Sequence, residues 1–163
     1  MDKVALKVAV TDEDVLKVMV VRGIVFLEEQ QVDWAGEFDT YDREAIHVLG
    51  EVAGEPVASG RLRLLPGQVG KLERIAVRPR WRHRGLARRL TRYLMDLARQ
   101  RGATRLVLHA QAYLEDFYGA FGFRREGPVF DECGIDHVLM KLDPSTAPTV
   151  DDRRRQPKET THE

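Results

Sequence analysis

The chain carries one cysteine, Cys133, so no internal disulfide can staple the fold and a reducing compartment, the cytoplasm, is the expected address. No apolar run approaches the roughly 18 to 20 residues that cross a bilayer. The stretch MDKVALKVAV places charges where a secretory leader needs an unbroken hydrophobic segment, so neither membrane insertion nor export is expected. An excess of one charge is missing too. Lys plus Arg number 26 against 26 Asp plus Glu, and a molecule without net charge has no global field drawing it to nucleic acid or anionic lipid. No tight His, Cys or Asp spacing suggests a metal site, and no internal repeat is visible.

What is present suits a globular fold. The 163 residues are 43% hydrophobic and 32% charged, a composition and length fitting one domain around one core. That domain is expected over residues 1–143. Beyond Asp143 the only sizeable aliphatic is Val150, so residues 144–163 are expected to be a disordered tail.

Hydrophobic periodicity sets out the elements. Val4, Leu6, Val8 and Val10 alternate with lysine and alanine, the period of a half-buried strand. Thr11 and Asp14 form a capping-box pattern ahead of a helix expected over 12–28. Residues 30–43 show no period and read as an acidic, aromatic loop. Strands follow at 45–53 and 56–65, joined by a turn at Gly54-Glu55, then at 71–77. Leu86, Leu90, Leu94 and Leu97 recur at helical spacing up to a stop at Gly102. A strand at 105–110, a short helix carrying Phe117 and Tyr118, and a strand at 135–142 complete the pattern. The expected class is α/β, a mixed and mostly antiparallel sheet of six or seven strands with helices on both faces.

The chemistry gathers where strand 71–77 turns into the helix opening at Gly85. A loop of that kind presents unpaired N–H groups at the positive end of a helix dipole, and a glycine lets an anion approach the backbone closely. Arg82-His83-Arg84-Gly85-Leu86-Ala87 is therefore a candidate diphosphate cradle.

Following Leu72-Glu73-Arg74-Ile75-Ala76-Val77, this hexapeptide resembles the acetyl-CoA motif of the GCN5-related N-acetyltransferase (GNAT) superfamily. Phe117-Tyr118-Gly119-Ala120-Phe121-Gly122-Phe123 resembles the superfamily's next motif. Val25-Phe26-Leu27-Glu28-Glu29-Gln30, Asp39-Thr40-Tyr41-Asp42, His109-Ala110-Gln111-Ala112 and Gly134-Ile135-Asp136-His137 narrow the likeness to the ElaA-like bacterial branch. Ala87 stands where the last glycine of the motif is commoner, and Gln111 where many relatives carry Asn.

The resemblance implies an acetyl-CoA-dependent N-acetyltransferase acting by direct transfer to the amine of a small-molecule or peptide acceptor. It implies that the backbone of Ile75, Ala76 and Val77 pairs with the pantetheine arm. The N–H groups from Arg82, His83, Arg84, Gly85, Leu86 and Ala87 would hold the pyrophosphate, with Gln111 beside the arm. It makes Tyr118 the general acid at the sulfur, and Glu73, on the strand that carries the thioester, is the candidate base. Glu29 and Asp42, in the acidic segment that walls the acceptor site, would attract a cationic amine or are ordinary solvated charge. His47, His109 and His137 are candidate acceptor-binding or proton-relay residues. Cys133, with nothing to activate it, is expected to be a structural or surface thiol.

Two other classes stay open on the residues alone. One is a non-catalytic CoA-binding or sensor module. The other is a nucleic-acid binder built on the arginines between Arg78 and Arg92, which have Trp81 as their one interleaved aromatic. No nucleic-acid or membrane partner is expected, and a homodimer is left open.

Overall fold

The computed structural model describes residues 3–143; the expected tail over 144–163 lies outside the described residues. In chain order the elements are β1 (Ala5–Val8), α1 (Asp12–Arg22), α2 (Trp34–Glu37), β2 (Ile46–Val52), β3 (Glu55–Leu65), β4 (Val69–Val77), α3 (Leu86–Gln100), β5 (Arg105–Gln111), α4 (Glu115–Gly119), β6 (Arg124–Arg125), β7 (Phe130–Glu132) and β8 (Ile135–Leu142). The eight strands make one sheet in the order β1-β2-β3-β4-β5-β8-β6, with β7 also paired to β8. Every pairing is antiparallel except β4 with β5.

The capping box forms as expected. Thr11 Oγ1 accepts from the Asp14 N–H at 3.1 Å, and Asp14 Oδ2 accepts from the Thr11 N–H at 3.3 Å. The helix then widens into a π-type segment over Gly23–Glu29. That widening is invisible to a 3.6-residue period and is common at functional sites.

Helices cover both faces. Leu62 on β3, Leu72 on β4 and Leu108 on β5 face Leu90 and Leu94 of α3, none of them more than 2% exposed. Burial of each such leucine contributes about 2 kcal/mol. The helix lies close because Gly60 is bare: a Cβ there would stand 2.7 Å from Leu94 Cδ1. Strand alternation sends Arg61, Glu73 and His109 to the opposite face, where α1 packs against β3 and β4.

Several local expectations shift. The β2–β3 turn is Ala53-Gly54, both at positive φ (49° and 82°), one residue earlier than expected. Residues 30–43 contain α2 and a 3-10 turn at Thr40–Arg43. β6 and β7 were not expected, being two and three residues long. β7 joins β8 through Cys133-Gly134 at φ 54° and 77°, a tight hairpin without the usual Asn or Asp.

Candidate active site

β4 and β5 pair only from Val69↔Arg105 to Leu72↔Leu108 and then separate. The cause lies on the other edge of β4. Between Ser59↔Ala76 and Arg61↔Glu73, β3 advances two residues while β4 advances three, so β4 carries a bulge, with Arg74 at φ 52°. The Arg74 guanidinium anchors that strained residue to α2, donating to the carbonyls of Gly36 and Glu37 at 3.1 and 3.2 Å. Past the bulge, Ile75 and Ala76 have no strand partner on the β5 side among the described residues. Their edge opens into a cleft of about 970 Å³.

One end of the cleft is the loop entering α3. His83 and Gly85 take positive φ, 61° and 73°, and the first helical bond runs from the Arg89 N–H to the Gly85 carbonyl. The preceding N–H groups are thus left without helical partners at the positive end of a 15-residue helix. Arg82, His83, Gly85, Leu86, Ala87 and Arg88 line the cleft here. Arg84 instead lies over the Trp81 ring, 5.4 Å from its centroid. Arg82 is tied to the Val77 carbonyl at 2.9 Å and to Glu29 at 2.7 Å. Across the cleft, Gln111 donates to Gln30 at 2.8 Å.

In the middle of the cleft is Tyr118, 7% exposed and packed edge-on against Phe117 and Phe123. Burial pushes its hydroxyl pKa up, so the phenol stays protonated at neutral pH.

At the far end the carboxylates are matched by arginines. Asp42 accepts from Arg22 at 2.6 Å and from Arg61 at 2.8 Å. Asp39 accepts from Arg61 at 2.7 Å, and Glu37 from Arg22 at 2.6 Å. Burial pushes Asp42 up, but the two guanidiniums outweigh it and hold its pKa below the ordinary value. Asp42 is therefore an internal counter-ion outside the cleft lining. His47 is likewise outside the cleft lining: it is 5% exposed, with Nε2 2.8 Å from the carbonyl of Asp42 in the 3-10 turn. Glu29 does line the cleft but is engaged by Arg82.

Glu73 lines the cleft and is held by three cations, Arg61 at 2.7 Å, Arg63 at 3.0 Å and Lys71 at 3.1 Å. Burial raises its pKa, and those cations more than offset the effect. A carboxylate so stabilised is a weak proton acceptor.

His109 and His137 come together around Glu132, which had no recognisable signal in the sequence. His109 Nδ1 is 3.0 Å from Glu132 Oε1, and His137 Nε2 is 3.4 Å from Oε2. His137 Nδ1 lies 2.7 Å from the Ile135 carbonyl, and Phe130 packs against both rings. Glu132 reaches this position only through the Cys133-Gly134 hairpin. Cys133 itself is exposed at the cleft rim, beside Gly36 of α2. Arg61, Arg63 and Lys71 were also unassigned, although Arg61-Leu62-Arg63 inside a buried strand signalled a polar face. Among the described residues, no group of three or more His, Cys, Asp or Glu could hold a metal ion, and no helix is long and apolar enough to cross a membrane.

Comparison with known proteins places this geometry. The model of the acetyltransferase (GNAT) domain family matches residues 17–144. The uncharacterized protein YyaT of Bacillus subtilis is 35% identical over 138 residues, covering 83% of this chain and 93% of its own. The uncharacterized N-acetyltransferase YjcF of the same organism is 33% identical, covering 83% and 97%. Among solved structures, Escherichia coli ElaA superposes with a TM-score of 0.75 at 24% identity, over 88% of this chain and all of its own (100%). The PaiA N-acetyltransferase of Thermoplasma acidophilum, solved with coenzyme A, superposes with a TM-score of 0.63 at 13% identity, over 86% and 99%. The chain belongs to the GNAT acetyltransferase family. It is an acyltransferase, with the mixed α/β fold of that family.

Proposed function

We propose that the chain is an acetyl-CoA-dependent N-acetyltransferase that moves the acetyl group directly to the amine of a small acceptor. The observation that carries this reading is the unpaired edge of β4 beside the loop entering α3. An extended arm bearing amides can add to such an edge as a strand would, and a diphosphate can settle on N–H groups at a helix N-terminus. The coenzyme A bound to the Thermoplasma protein of the same fold supports that choice of donor.

Ile75, Ala76 and Val77 would hold the pantetheine arm, with Gln111 opposite, and the N–H groups of residues 82–87 would hold the pyrophosphate. When bound, acetyl-CoA supplies an acetyl thioester and a thiolate leaving group. Tyr118, kept protonated by burial, donates a hydrogen bond or proton where sulfur gains negative charge. Glu73 was the first candidate for the amine proton, but its ion pairs leave it little basicity. We assign that role to His109. Donation of its Nδ1–H to Glu132 fixes the tautomer in which Nε2 carries the lone pair.

The test is calorimetry of acetyl-CoA on the wild type and on Gly85→Val, with thiol release from a broad amine panel as the activity readout. Gly85 sits at φ 73° with open space around its missing Cβ. A β-branched side chain there strains the turn and fills the approach to the N–H groups, so affinity should fall by about tenfold or more. Unchanged affinity in a folded Gly85→Val protein defeats the cradle assignment. Tight binding with no turnover of any amine leaves a CoA-binding module instead.

A further inference from the structure

The acceptor end of the cleft has an uneven charge pattern. Arg22, Arg61 and Arg74 are matched by Glu37, Asp39 and Asp42 through the ion pairs of α1, α2 and the 3-10 turn. Among the described residues Arg63 and Lys71 share one ion-pair carboxylate, Glu73, which Arg61 contacts as well, and Lys71 also helps to hold the Glu132 pKa down. Three cations thus converge on Glu73, and all three line the cleft.

Arg63 and Lys71 are built in rather than loose on the surface. Each side chain is only 16% exposed. They face one another across the β3–β4 ladder as the Arg63↔Lys71 pair. Arg63 is held on a second side by the Tyr41 ring, with its guanidinium carbon 3.7 Å from the ring centroid. A planar guanidinium with a neighbouring ammonium is the donor set that recognises a carboxylate.

On the next strand, Lys71 pairs with Val107, so His109 stands two residues further along β5 on the same face. His109 and Glu132 thus offer a proton acceptor and a negative charge in the same cleft as the two cations. Within the acidic segment expected to wall the acceptor site, Asp39 and Asp42 are paired with the buried arginines Arg22 and Arg61.

We propose that the acceptor is an amine that also bears a carboxylate, that is, an amino acid. Arg63 and Lys71 bind its carboxylate, and the amine is delivered to His109 beside Glu132. The inference rests on the N-acetyltransferase reading above and names the substrate class of that same site.

The experiment measures steady-state thiol release from acetyl-CoA by the full chain. The protein amino acids are each compared with their own carboxamide and decarboxylated amine, and acetyl-CoA binding is followed separately by calorimetry. At least one free amino acid should exceed both partners in kcat/KM by about tenfold or more, the value of a charge-assisted hydrogen-bond pair. Lys71→Met and Arg63→Gln should each raise KM for that amino acid by about tenfold and reduce its advantage over the carboxamide, with kcat little changed. Lys71→Met leaves Glu73 its two arginines, so it keeps the test open if Arg63→Gln fails to fold. Equal or reversed selectivity, selectivity untouched by a folded Lys71→Met, or no amino acid acetylated by a protein that binds acetyl-CoA each overturns the inference alone. Failure of acetyl-CoA to bind overturns the transferase reading itself.

Discussion

Arg22 is 0% exposed and Arg61 1%, as buried as any leucine of the core. Such groups survive burial only when each N–H finds an acceptor, and their partners are the carboxylates that a linear reading took for solvent-facing or substrate-facing charge. The same distinction separates the candidate proton-handling residues. Glu73 lines the cleft but is held by cations, whereas His109 has no hydrogen-bond partner at Nε2 among the described residues and Tyr118 keeps a protonated phenol. Tyr118→Phe should therefore lower kcat by about 10²-fold with acetyl-CoA affinity nearly intact, because its hydrogen bond strengthens only as charge develops on sulfur. His109→Ala should lower kcat by a similar factor of about 10². Steady-state thiol release with calorimetry of acetyl-CoA checks both, and wild-type turnover in a folded variant would return that residue to a packing role.

Among the elements, α3 was the most legible, because its leucine stripe and its flanking glycines are both local signals. Its seat on the sheet is a tertiary matter. Gly60 and Gly70 leave room for Leu94 and Ala98, contacts at 2.7 and 3.0 Å for an added Cβ. Since Leu94 is fully buried and cannot step aside, Gly60→Val should destabilise the protein by about 1–3 kcal/mol. A lowered denaturant midpoint with an unchanged slope would register it, and an unchanged midpoint would show that the helix shifts freely. The bulge in β4 had no local signal, since Arg74 is neither glycine nor asparagine and its positive φ is imposed by pairing with β3 and anchoring to α2.

For the molecule as a whole, the ion network that fastens α1, α2 and the 3-10 turn over the sheet makes stability depend on pH. Asp39, Asp42 and Glu73 are each pushed up by burial but held below the ordinary carboxylate value by their cations. The unfolded chain then takes up protons at higher pH than the folded one. Their contribution is complete above the unfolded carboxylate range and is lost as pH falls from about 4. Glu37, raised by burial, works in the opposite direction. Denaturant midpoints should be level between about pH 7 and 5 and fall steeply below about 4. A midpoint as high at pH 3 as at neutrality would contradict the network's role.

The sequence by itself determined what depends on neighbours along the chain. The capping box at Thr11, the apolar stripe of α3, the loop from Arg82 to Ala87 and the run from Phe117 to Phe123 are written in spacings of a few residues. With them came the sheet-and-helix class and the family. The tertiary structure alone decided which charges remain for a ligand. Arg22 lies 20 residues from Asp42, Arg61 lies 12 from Glu73, and His109 lies 23 from Glu132. A Coulomb interaction depends on distance in space and on burial, neither of which a sequence displays. Only the folded chain could turn the apparently free aspartates Asp39 and Asp42 into partners of buried arginines and bring Arg63 and Lys71 to the cleft lining.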